Sequence, residues 1–211
     1  MTHQLNVSIE GWADGERIPA KYAFGQVPNK GNFEFGGNFS PSISWSNAPE
    51  NTQSFVILCH DPDVPSIADD VNQEGKIVSA DLPRVDFYHW VLIDIPPTMS
   101  VIPEGVASSG VIPKGKIAGK KDYGVAGINN YTNWFEGDDN MGGIYADYDG
   151  PCPPWNDSII HHYHFTVYAL DIASLRLSGH FGGPETIAAM KGHILSRGSY
   201  IGTYTMNPDV T

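Results

Sequence analysis

The sequence predicts a mostly β protein, a β-sandwich with a few short helices, and three observations carry that reading. Short β-patterned runs alternate with Gly, Pro, Asn and Asp turns along the 211 residues. Gly, at 23, and Pro, at 16, are too frequent for a helical bundle and ordinary for a turn-rich β protein. One helix alone is well signalled. No internal repeat, low-complexity tract or linker splits the chain. A single domain over 1–211 is expected, carrying long irregular insertions at about 68–85 and 125–147.

The elements follow in order. Leu5, Val7 and Ile9 alternate with polar residues, as do Ile43 and Trp45. Ser54 to His60 and Trp90 to Ile95 are nearly continuous apolar runs, the pattern of strands buried on both faces. From Ile159 to Leu170, period-2 reading puts His161, Tyr163, Phe165, Val167 and Ala169 on a core face. His162, His164, Thr166, Tyr168 and Leu170 take the other face. The helix opens at Pro184 with Glu185 in its first turn. Ile187, Met190, Ile194 and Leu195 then recur at helical spacing, and Gly198 is placed to stop it. Tyr200 to Tyr204 closes the chain as a short strand.

Lys plus Arg is 12 and Asp plus Glu is 24, so the formal charge is −12 and the pI near 4.8. Such a surface repels phosphate backbones and anionic leaflets, which excludes a general nucleic-acid binder and a polybasic membrane dock. Two cysteines, Cys59 and Cys152, are too few for a disulfide-built scaffold, and sequence alone does not say whether they pair. The N-terminus has no basic start and no apolar core of a signal peptide. The longest clean apolar run, about Phe55 to Cys59, is far too short to span a bilayer. A cytoplasmic protein without stable membrane insertion is expected.

Four segments carry candidate chemistry. His161 and Tyr163 sit at the start of their strand, where the core face opens to a rim. His89 heads another buried strand and by alternation shares a face with Val91, Ile93 and Ile95. Asp61-Pro62-Asp63-Val64-Pro65 reads as a stiff turn holding two carboxylates at a strand end, where one of them can fix an imidazole tautomer. In Gly150-Pro151-Cys152-Pro153-Pro154 the few backbone N–H groups, on Gly150 and Cys152, are rigidly aimed and suit an oxyanion without any Lys or Arg. Each segment alone also has a bland reading, as satisfied core polars or ordinary turns.

Taken together, SPSISW, DPDVP, HWVLIDIP, DYDGPCPP, HHYHFTVYALD and GHIL occur in that order over Ser40 to Tyr204. The chain resembles the phosphatidylethanolamine-binding protein family, in its prokaryotic Raf-kinase-inhibitor-like branch. The resemblance implies two packed antiparallel sheets with Greek-key links. It also implies a small anion pocket lined by Asp61, His89, Gly150, Pro151, Pro153, Pro154, His161 and Tyr163. Family members bind phosphate-type head groups or small anions, some inhibit kinases or proteases, and bacterial ones are often homodimers. The implied role is non-catalytic and regulatory, with a small anion or phosphorylated head group as ligand and no cofactor. Asp138, Asp139, Asp147 and Asp149 are expected beside this pocket, where they would weaken phosphate binding. Three other readings compete. A hydrolase could draw on Asp61, His89 and His161, with Cys152 as nucleophile. A glycan-binding sandwich could use Trp12, Trp134 and Trp155. A metal could sit on His162 with His164 or on Asp147 with Asp149, although alternation breaks up any three-His cluster.

Overall fold

The computed structural model of the chain describes residues 4–210. Its strands are β1 (Asn6–Ile9), β2 (Gly25–Gln26), β3 (Glu34–Phe35), β4 (Ile43–Ser46), β5 (Ser54–Pro65), β6 (Arg84–Ile95), β7 (Val101–Ile102), β8 (Gly119–Lys121), β9 (Gly124–Ala126), β10 (His161–Leu170) and β11 (Ile194–Tyr204). Helix α1 (Tyr131–Trp134) precedes β10, and α2 (Gly183–Met190) precedes β11. Six strands form one sheet in the order β11-β10-β5-β6-β9-β8, and three form a second in the order β1-β4-β7. Every ladder between these strands is antiparallel. The chain passes from the small sheet to the large one after β4, returns for β7, and crosses again to β8.

The large sheet is buried on both faces, which is why β5 and β6 read as continuous apolar runs. Ile57, Trp90, Leu92, Phe165 and Val167 pack toward Ile9, Ile43, Trp45 and Ile102 of the small sheet. Val56, Leu58, Val91, Ile93 and Leu170 pack on the other side, under Met190 of α2 and under Leu175 and Phe181 of the segment before it. The alternation expected of β10 is present: His161, Tyr163, Phe165, Val167 and Ala169 all face inward with no exposed surface.

Three elements differ from expectation. The Asp61–Pro65 segment is not a turn but the far end of β5. Only β6 pairs with it, because β10 meets β5 no further than His60, so this end is a sheet edge that tolerates prolines. Asp61 pairs with Phe87 and Val64 with Val85, so β5 carries one extra residue there, spanned by a 2.8 Å bond from Asp63 N–H to Asp61 Oδ1. The opposite irregularity lies in β6, where Cys59 pairs with Trp90 but His60 with Tyr88. His89 is the extra residue, and the bulge turns it inward beside Trp90, away from Val91 and Ile93.

Helix α2 is shorter than the periodicity suggested. Its buried positions are Gly183, Thr186 and Met190, while Ile187 and Ile194 are 45% and 44% exposed. The chain leaves the helix at Lys191, and Gly192 takes φ +85°. Ile194 and Leu195 then open β11, whose ladder with β10 runs from Leu170–Ile194 to His161–Tyr204. Of the irregular segments, residues 68–83 lie outside any strand or helix, whereas 84–85, 125–126 and 131–134 join β6, β9 and α1.

The Gly192 turn gives a direct check on where α2 ends. A Cβ there meets nothing within 4 Å, so Gly192→Ala isolates the left-handed backbone. It should destabilise the protein by about 1 kcal/mol in urea titration. A helix continuing through Leu195 would instead make the same change stabilising.

Candidate functional site

Beside the edge portion of β5 lies a cavity of about 330 Å³, bounded by β5, β6, β10, α1 and the turn after Gly150. Asp61, His89, His161 and Tyr163 form its polar floor, and Pro153 and Pro154 lie in its wall. No Lys or Arg lines it among the described residues.

The floor is built on a buried chain of charges. His161 Nδ1 lies 2.7 Å from Asp61 Oδ2, and its Nε2 lies 3.1 Å from Asp157 Oδ2. Arg84 grips the same Asp157 carboxylate with both terminal nitrogens, at 2.6 and 3.1 Å. It also donates to the carbonyls of Asp63 and Ser79. Two carboxylates can only accept from His161, so both ring nitrogens carry protons. Burial works against that charge, but the bonds to Asp157 and Asp61 outweigh it and hold the pKa up at about 9. Burial likewise pushes Asp157 upward, and its bonds to His161 and Arg84 reverse the effect and bring it below the usual carboxylate range.

His89 has the opposite character. Its Nδ1–H donates to the Asp149 carbonyl at 2.9 Å, which leaves Nε2 as an open acceptor. Burial drives its pKa down to about 4, more strongly than the nearby Asp61 carboxylate raises it. The segment that anchors it is itself fixed. Asp149 accepts from Asn38 (2.8 Å), Lys116 (2.9 Å) and Asn129 (2.8 Å), and Asp147 accepts from Trp90 Nε1 (2.7 Å) and Tyr123 Oη. Tyr163 packs edge-on against His89, with centroids 5.1 Å apart. Its buried hydroxyl meets no acceptor at hydrogen-bond distance among the described residues, although the Asp61 carboxylate lies close enough to act on it. Burial and the Asp61 charge push this phenol well up, so it remains a donor.

The Gly150–Pro154 turn is only partly open to the cavity. Gly150 N–H is spent on Asn38 Oδ1, and a Cβ at Gly150 would sit 2.0 Å from Tyr22 O. Gly150 O accepts from Tyr131 Oη, and Pro151 O accepts from the Phe24 and Gly25 N–H groups. Gly150 and Pro151 therefore hold the turn against the Tyr22–Gly25 segment and do not line the cavity. Cys152 carries the one uncommitted N–H of this turn among the described residues. Its thiol is pushed up to about 12 by burial, and neither it nor Cys59 forms a disulfide.

The family profile for phosphatidylethanolamine-binding protein matches residues 8–205. The chain belongs to the phosphatidylethanolamine-binding protein family. It is 30% identical over 200 residues to a UPF0098 protein of Methanothermobacter thermautotrophicus, covering 95% of this chain and 98% of that one. It is 30% identical over 160 residues to YbhB of Escherichia coli, covering 75% of this chain and 73% of the relative. Among solved structures, YbcL of E. coli matches with a TM-score of 0.64 at 24% identity, over 96% of this chain and 98% of that one. CT736 of Chlamydia trachomatis, described as a homologue of the family, matches equally well over 96% and 97%. At that identity the structural likeness shows the fold: two packed antiparallel sheets with few helices.

Several residues of this family member stand elsewhere than expected. Asp138, Asp139, Asp147 and Asp149 do not line the cavity. Asp147 and Asp149 are buried in the bonds above, and Asp138 caps its own turn through the Asn140 and Met141 N–H groups. The 125–147 segment instead brings Tyr131, Trp134, Phe135 and Met141 to the cavity. Trp12 is in the core, whereas Trp134 and Trp155 stand at the cavity. His162 is taken by Asp63 at 2.8 Å, and His164 stacks on His60 across the strand pair. No group of three or more metal-ligating side chains exists among the described residues. Asp157 and Arg84 went unread in the sequence, although Asp157 lies only four residues before His161.

The charge chain sets a pH signature. The pKa of His161 is raised from 6.5 to about 9, so its stabilisation is full below pH 6.5 and lost as pH rises through about 9. His161→Gln should cost about 3–5 kcal/mol at pH 6, because it leaves buried Asp61 without a counter-charge and Asp157 with Arg84 alone. The gap between wild type and variant in thermal or urea unfolding should narrow steadily toward pH 9.5. A gap that stays constant over this range contradicts the imidazolium.

Proposed function

We propose that this cavity binds a small oxyanion, of the phosphate or phospholipid-head-group kind, without chemically transforming it, and that binding serves a regulatory or inhibitory output. One observation carries the reading: every carboxylate oxygen beneath the floor already has a hydrogen-bond donor, whereas two donors at the cavity have no acceptor among the described residues. Asp61 uses one oxygen on His161 and the other on the Asp63 N–H, and Asp157 is filled by Arg84 and His161. The ion pairs cancel within themselves. What remains for a ligand is the Tyr163 hydroxyl, the Cys152 N–H and the His89 Nε2.

Two donors and one acceptor match a singly protonated oxyanion, such as a phosphomonoester monoanion. Its bare oxygens accept from Tyr163 and Cys152, and its remaining hydroxyl donates to His89. The same complex forms if His89 takes the proton and the ligand arrives as the dianion. Either way one proton is shared between Nε2 and a ligand oxygen, so binding above the ligand's second pKa, about 6, takes up a proton. The lining supplies no nucleophile to go further. The Cys152 thiol stays protonated, and Asp61 and His161 are locked to each other.

Calorimetric titration with inorganic phosphate and phosphoethanolamine tests this. Affinity should rise as pH falls from 8 to 6, and the heat at pH 7.5 should depend on buffer ionisation with about one proton taken up. Tyr163→Phe should weaken binding roughly tenfold while leaving the free protein no less stable. Absence of binding at millimolar phosphate, or binding indifferent to both Tyr163→Phe and buffer, overturns the reading.

A further inference from the structure

Beyond the polar floor the cavity lining is mostly apolar, with aliphatic side chains such as Val64 and Val71, three prolines and two methionines beside a large set of aromatic rings. Phe24 stacks on Tyr131 with centroids 4.5 Å apart and planes 20° apart, and Tyr131 stacks on Phe135 at 5.7 Å and 15°. Phe24 meets Phe35 edge-to-face at 5.7 Å, and Phe35 meets Phe33 edge-to-face at 5.2 Å. All five rings line the cavity. Two of them, Phe33 and Phe35, and the neighbouring Trp134 are 45%, 48% and 47% exposed, far above the ordinary burial of such side chains. An inorganic ion or a phosphoethanolamine on the floor would leave this array uncovered.

Building on the oxyanion reading above, we propose that the ligand is an aryl-bearing oxyanion, with its acid group on the His89–Tyr163 floor and a planar ring packed into the aromatic wall. Three physical points favour a ring over a flexible alkyl chain. The wall already repeats the offset-stacked and edge-to-face geometries that a further ring continues, and these add attraction beyond area alone. A chain must surrender rotamer freedom that a rigid ring does not have to lose. The volume, about 330 Å³, suits a molecule of one or two rings, at the small end of ordinary ligand sites. An anionic membrane surface is disfavoured as the occupant by a formal charge of −12 and by a cavity lining without Lys or Arg.

Calorimetry on the full chain at pH 6 with inorganic phosphate, phenyl phosphate and n-hexyl phosphate separates the cases. Phenyl phosphate should bind roughly 30-fold tighter than inorganic phosphate and several-fold tighter than hexyl phosphate. Phe135→Leu and, independently, Trp134→Ala should bring the phenyl-to-hexyl ratio toward one. Trp134 is half exposed, so its removal leaves the fold intact. Phenyl phosphate no tighter than inorganic phosphate overturns the aryl proposal and leaves the oxyanion reading standing. Hexyl phosphate equal to or tighter than phenyl overturns it in favour of a lipid-like tail. Failure of all three phosphates to bind overturns both readings.

Discussion

The fold's functional end depends on one buried chain of four charges, Asp61–His161–Asp157–Arg84. Charges removed from water cost several kcal/mol each and are tolerated only when every member is paired and hydrogen-bonded. Here each is. The chain crosses the sheet from the edge of β5 to the start of β10 and back to the start of β6, and Arg84 adds the Ser79 loop. Its main consequence is chemical rather than energetic. Because the four charges cancel and every carboxylate oxygen has a donor, the space above them offers donors with no net negative charge beneath. An acidic protein can thereby present a floor suited to an anion.

The second constraint is the bulge in β6. A regular strand would send His89 to the same side as Val91, into the layer beneath α2. One extra residue puts His89 and Trp90 on the same side, and both are then captured by the 147–149 segment, one through a carbonyl and the other through a carboxylate. Partners and burial together decide the state of each ring. Two carboxylates keep His161 charged against its burial, while burial keeps His89 neutral against the pull of Asp61 and the Asp149 carbonyl. Two imidazoles lining one cavity are thus held on opposite sides of neutrality, the usual way a site assigns separate proton roles to like groups.

Much of this was legible in the sequence. Alternation from His161 to Ala169 survives because β10 is regular and one of its faces is wholly buried. The motif order gave the family, and with it the residues of the floor. What stayed hidden depends on irregularity or on distance along the chain. A bulge at His89 leaves no period-2 trace. The prolines of Asp61–Pro65 signal a turn, yet at a sheet edge they are compatible with a strand. Ile194 and Leu195 fit a helical stripe by coincidence, and only the Gly192 turn and the β10 ladder decide otherwise. Arg84 and Asp157 stand 73 residues apart, one opening β6 and the other just before β10, and meet only because both strands flank β5. The acids of 125–149 suggest a negative rim, but Asp147 and Asp149 are buried with named partners, exposed Asp138 and Asp139 lie off the cavity, and that segment's contribution to the site is its rings.

The most direct test of this account is nitrogen-detected NMR of the two imidazoles during a pH titration, with and without phosphate. His161 should show both ring nitrogens protonated from pH 5.5 to 8. His89 should remain a neutral Nδ1–H tautomer in the free protein, and phosphate should shift its Nε2 signal toward the protonated form. A neutral His161 at pH 7, or a His89 ring unmoved by saturating phosphate, would contradict it.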